Sequence, residues 1–146
     1  MSDLDLPKTL AILDRVIRAE LSGVVRYTHY ALMVTGPYRQ TIVDFLKAQA
    51  TESLMHAQEA GEIMTGLEGH PTSGIEPIKE SNDHSLLRIL EESLEHEIFA
   101  LNIYKELLSV VEGASIYLEE YTRGQIRAEE LHVMDLKKML RDFTAK

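Results

Sequence analysis

Four apolar stripes with helical period run along this chain. Each is interrupted near its middle by a side chain that can bind a hard metal ion: Glu20, then His56, then Glu97, then Glu129 with His132. After Pro7, which suits the first turn of a helix, Leu10, Leu13, Ile17, Leu21, Val24 and Ala31 share one face. This helix is expected to end near Thr35 and Gly36. Pro37 then opens a second helix carrying Ile42, Phe45, Leu46, Gln49, Ser53, His56, Ala60 and Ile63, which Gly66 and Gly69 stop. Asn82 or Asp83 is the expected N-cap of a third, with Leu86, Leu90, Ser93, Glu97, Leu101, Tyr104, Leu108 and Val111 on its stripe and Gly113 at its end. A fourth begins near Ser115 and carries Leu118, Thr122, Gln125, Glu129, His132, Leu136, Met139 and Phe143. Nothing alternates with the period of a β-strand, so the expected fold class is all-α.

Between the second and third helices, Leu67 to Asp83 reads LEGHPTSGIEPIKESND, with no helical period. About 17 residues at ~3.3 Å each can span a helix of roughly 30 residues at ~1.5 Å each, so this segment can cross the whole bundle and leave its flanking helices parallel. The chain has 146 residues and reads as one domain, 1–146. No window approaches the roughly 20 apolar residues of a membrane span, and the start MSDLDLPKTL lacks the pattern of a signal peptide, so a cytoplasmic protein without a membrane partner is expected. A net charge of -9 argues against nucleic acid as a partner. With no cysteine, thiolate metal sites and a cysteine nucleophile are excluded, and any metal must be held by carboxylate and imidazole.

Residues three or four apart on a helix share a face, which places Glu129 and His132 together on the inward side and turns Glu130 about 100° away to solvent. Glu20 lies between Ile17 and Val24, and Glu97 between Ser93 and Leu101, both on buried stripes. Each is followed seven residues later by a tyrosine, Tyr27 and Tyr104, which read as core aromatics with a hydroxyl that needs a partner. The two halves of the chain therefore look alike. A lone Glu on an apolar stripe usually snorkels to water and a lone buried His is usually a core residue. Three Glu and two His in matching places are different, because buried like charges are hard to tolerate without a cation. His29, His70, His84 and His96 fall off the stripes or in loops and are expected at the surface. Carboxylates with two imidazoles suit iron or manganese, and zinc less readily.

On these residues the chain resembles the ferritin-like di-iron carboxylate superfamily, and most of all bacterioferritins and the helical domain of rubrerythrins. The resemblance implies a ferritin-like four-helix bundle with a long crossover between helices two and three, and two iron ions as cofactor. It implies Glu20 and Glu97 as terminal ligands, Glu129 as a bridging ligand, and His56 and His132 as the imidazoles, with Tyr27 as a candidate catalytic residue beside the site. One position departs. The family's second helix reads Glu-x-x-His, whereas Ser53 stands three residues before His56 and Glu52 four before it. Either Glu52 turns in as the sixth ligand or the site keeps three carboxylates. Haem is not expected, since the bacterioferritin haem methionine falls on Leu54 and Met55 is one step off that face. The cysteine-rich module of rubrerythrins is missing, so an electron donor would be external. No fifth helix follows the fourth, which speaks against a 24-subunit shell.

The resemblance thus implies oxidation of ferrous iron with dioxygen or peroxide, for iron storage or detoxification, by a ferroxidase-type oxidoreductase that forms at least a homodimer. A rubrerythrin-like peroxidase is one alternative. A bundle with a degenerate site, serving assembly or metal carriage without catalysis, is another.

Overall fold

The structure is a computed structural model that describes residues 3–144. Four helices make up the fold: α1 (Leu6–Met33), α2 (Arg39–Gly66), α3 (Leu86–Val111) and α4 (Ile116–Thr144). Among the described residues no helix is long and apolar enough to cross a membrane. Asp5 caps α1, its carboxylate accepting from the Lys8 amide at 3.1 Å, and Pro7 occupies the first turn as its missing donor allows.

Three helix boundaries differ from expectation. α1 stops at Met33, since Val34 is already extended. α2 begins after Tyr38, whose φ of 65° closes the turn in a left-handed conformation that Pro37 could not supply. α3 is capped by Ser85 and not by Asn82 or Asp83. Asn82 is itself left-handed, and the Asp83 carboxylate accepts from the Ser85 amide, bending the chain so that the Ser85 hydroxyl accepts from the Arg88 amide at 3.2 Å.

α1 packs against both α2 and α3, and α3 packs against α4. No Cα of α2 lies within 8 Å of a Cα of α4 among the described residues, although their side chains meet, as at Gln125 and Glu59 3.1 Å apart. The crossover lies along α1 and is pinned there. The Thr72 amide donates to Asp14, Arg18 donates to the Thr72 hydroxyl, and the Glu76 amide donates to the Arg18 carbonyl. With α2 and α3 both antiparallel to α1, the crossover leaves them parallel to each other, as its length predicts.

The core is in two parts. Ile12, Leu13, Val16, Ile17, Ile63, Ile103, Leu107 and Leu118 belong to one apolar cluster, and Tyr27, Tyr30, Val34, Val43, Leu46 and Ile89 to the other. Burying each such side chain contributes about 1.5 to 3 kcal/mol. Between the clusters α1 and α2 come very close, because Gly23 presents no side chain. A Cβ there would sit 2.8 Å from Ser53 Oγ and 2.9 Å from His96 Nε2. Gly23→Ala would gain about 1 kcal/mol of helix propensity but overpack the contact by about 1 to 3 kcal/mol. A lower melting temperature is expected; a higher one would show that the two helices can part at this level.

Candidate metal centre

The polar layer sits where the two apolar clusters meet, and antiparallel packing sets its levels. Glu20 on α1 is level with Tyr104 on α3, and Tyr27 on α1 is level with Glu97 on α3. The hydroxyls accordingly cross: Tyr27 donates to Glu97 at 2.6 Å, and Tyr104 donates to Glu20 at 3.1 Å. Both phenols are pushed well above their usual pKa by burial and then by the facing carboxylate, so they act as donors. Each spacing of seven noted in the sequence thus serves a carboxylate on the opposite helix.

Six candidate ligands come together here. Glu20, Glu97, Glu129 and His56 are buried, His132 is mostly so, and Glu52 is half-exposed. His56 Nδ1 lies 2.6 Å from Glu20 and 3.8 Å from Glu129, while its Nε2 lies 3.7 Å from Glu52. His132 Nδ1 lies 3.8 Å from Glu129 and its Nε2 lies 3.3 Å from Glu52. Both rings therefore turn Nδ1 inward and Nε2 towards Glu52. Two ligand sets have their donor atoms within 4.8 Å of one another, Glu20 with His56 and Glu129, and Glu97 with Glu129 and His132. Glu129 belongs to both.

Charge crowding here is severe. Burial, with Glu97 nearby, raises the Glu20 pKa above the usual carboxylate range. Burial raises Glu97 further, aided by its hydrogen bond with Glu129, and raises Glu129 to about 7. Burial opposes protonation of His56, but the Glu20 hydrogen bond and charge outweigh it and bring the ring to about 9. Protons thus stand where a cation would otherwise balance the carboxylates. Even so, Glu129 Oε2 and His132 Nδ1 are buried without a hydrogen-bond partner, and 3.8 Å is too long for one between them. Unpaired buried acceptors aimed at one another fit a divalent cation between them, and an oxygen-rich set with two imidazoles suits iron or manganese.

Two side chains behave otherwise than expected. His96, read as a surface residue, is buried, with Nε2 unpartnered and its ring 6.0 Å edge-on from Tyr27. Burial, reinforced by Arg26, lowers its pKa to about 4, so the ring is neutral. The signal was present: Ile89, Ser93, His96, Ala100, Ile103 and Leu107 form a second stripe beside that of Glu97, because α3 buries one face against α1 and another against α4. Phe143, placed on the fourth stripe, is exposed. His29, His70 and His84 remain at least partly exposed, as does Glu130. Ser53 is buried and turned towards Gly23 of α1, on the side of α2 away from Glu52.

Four helices around a layer of carboxylates and imidazoles define a class of bundle built to hold metal in its interior. The chain belongs to the ferritin-like domain family, whose profile matches residues 10–145. The fold is shared with a ferritin-like, diiron-carboxylate protein from Bacillus anthracis, with a TM-score of 0.87, 23% identity, and coverage of 96% of this chain and 99% of that one. A dodecameric thioferritin from Bacteroides fragilis, described as bacterioferritin-related, superposes with a TM-score of 0.87 at 21% identity, covering 97% of this chain and 89% of its own. Rhodobacter capsulatus bacterioferritin, solved with a metal-free dinuclear site and haem iron, gives 0.82 at 22% identity, covering 98% and 89%. At these identities the likeness concerns the fold. Among curated protein sequences there is no match.

Proposed function

We propose that the interior layer is a di-iron centre at which ferrous iron is oxidised by dioxygen or peroxide, in the service of iron storage or detoxification. The observation that carries this reading is the sharing of Glu129 between two ligand sets, which is what a pair of ions held side by side requires. Glu20 with His56 would hold one ion and Glu97 with His132 the other. Bound iron would supply the electrons. Tyr27 and Tyr104 fix the terminal carboxylates by hydrogen bonds, and the apolar clusters above and below exclude water. Two divalent ions bring four charges, three of which the buried carboxylates offset, and Glu52 can bring the fourth. The dodecameric assembly of the thioferritin that shares this fold supports a homo-oligomer, and the reading is of a cytoplasmic protein.

Anaerobic ferrous loading followed by exposure to each oxidant tests the proposal. About two irons per chain are expected, with oxidation faster than in protein-free solution, and the faster oxidant separates ferroxidase from peroxidase action. One iron or none, with no acceleration, would favour the second reading, a bundle that carries metal or assembles without turnover. Ser53 favours that reading, since it leaves the position three residues before His56 without a carboxylate.

A further inference from the structure

One candidate ligand is out of register, and its position bears on how metal reaches the interior. The side chains of Glu20 and Glu129 are 2% exposed and that of His56 6%, whereas Glu52 is 32% exposed. Helix geometry explains the difference. Moving a carboxylate from position 53 to position 52 rotates it about 100° around α2, from the side facing Gly23 of α1 to the side facing α4 and solvent. There its Oε1 touches the outward nitrogen of both imidazoles, at 3.7 Å from His56 and 3.3 Å from His132.

Along the seam that Glu52 covers, no Cα of α2 comes within 8 Å of a Cα of α4 among the described residues, so that side chains close it. Next to His132 lies a cavity of about 20 Å³, the size of a single water, lined by Phe45, Gln49 and Leu136 as well as by Asp135, which is exposed. On the opposite wall Tyr27 and Tyr104 are locked to the buried carboxylates Glu97 and Glu20, and no carboxylate there reaches the outward nitrogen of either imidazole among the described residues.

We propose that Glu52 is an inlet ligand: it takes a divalent first-row cation from solvent at the α2–α4 seam, passes it between His56 and His132 to Glu129, and carries it out by the same route. This inference rests on reading the interior as a metal centre. A carboxylate on a flexible arm of two methylenes at the mouth lowers the barrier for exchange in both directions, because it replaces part of the ion's water shell before the buried ligands can reach it. The metal is then in transit and exchanges with solvent, instead of being a permanent part of the fold.

The test is cobalt(II) uptake by the full chain, followed by its visible absorption, and then release into excess zinc, with Glu52→Gln compared with the unaltered protein. Neither step involves turnover. If Glu52 is the inlet, association and release both slow in the variant, by about tenfold or more. If Glu52 is only a resident ligand, its loss makes release faster; release that is faster or unchanged overturns the proposal. Failure of the unaltered protein to bind cobalt at all would overturn the metal-centre reading beneath it, a result distinct from both. Gln keeps the shape of a half-exposed side chain, and an unchanged melting curve verifies that the variant is folded.

Discussion

Replacing Glu129 by glutamine is expected to remove metal binding and to leave the metal-free bundle at least as stable as before. Among the described residues Glu129 is the one carboxylate within reach of both imidazoles' inward nitrogens, and both ligand sets depend on it. Its loss should weaken affinity for each ion by roughly 100-fold or more. Stability should move the other way. Glu129 is 1% exposed, one of its oxygens has no partner, and burial holds its pKa at about 7. Above that pH the metal-free protein carries a buried charge beside two other carboxylates. Glutamine keeps an oxygen to accept from Glu97 and removes the charge, a gain of about 1 to 3 kcal/mol at pH 8. Metal titration and denaturant unfolding measure the two effects separately. A variant that unfolds more easily would show that the carboxylate holds the bundle together as well as binding metal.

The second large effect is on pH dependence. In the metal-free protein Glu20, Glu97 and Glu129 have pKa values raised above those of the unfolded chain, and so does His56. A group with a raised pKa holds its proton more tightly when folded, so it adds stability below its unfolded pKa and loses that contribution as pH climbs to the folded value. For Glu129 the window runs from 4.5 to about 7, and for His56 from 6.5 to about 9. The two windows overlap and have the same sign. Melting temperature should fall continuously from pH 5 to pH 9, by about 10 °C, with no plateau near neutrality. Divalent metal should flatten or reverse this slope, because it binds the deprotonated groups and releases protons as it does so. Melting curves across this range, with and without metal, decide the matter. A metal-free protein that gains stability between pH 5 and pH 7 would contradict the charge crowding described above.

Much of the architecture could be read from the stripes, because a period of 3.6 residues converts directly into faces. Leu13, Ile17, Leu46, Leu90 and Leu118 each lie in the interior where the period puts them. The ends were harder. A cap depends on one or two backbone angles, and Asn82, Asp83 and Ser85 are all competent; only the conformation shows that the first two bend the chain and the third caps it. The burial of His96 escaped a reading of one stripe per helix, since α3 has neighbours on two sides. Spacing could place Glu20 and Tyr27 on one face but could not say that each pairs with the other helix, which follows from the antiparallel register of α1 and α3. Sequence places Ser53 on the stripe of the second helix and leaves open whether Glu52 turns in beside His56. The structure sets Glu52 beside the imidazoles and Ser53 against Gly23.

The crossed tyrosines also give the bundle an uneven mechanical character. On one wall, α1 and α3 are tied by two buried hydrogen bonds and by Arg15 and Glu106, 2.6 Å apart at the surface. On the other wall, α2 and α4 meet through side chains only. Such a body behaves like a book with a stiff spine: a change in the volume of its interior is taken up by the covers. Any strain produced when the centre fills or empties should therefore open the α2–α4 side, with α2 moving together with the α1 it packs against and α4 with α3, about the tied α1–α3 side.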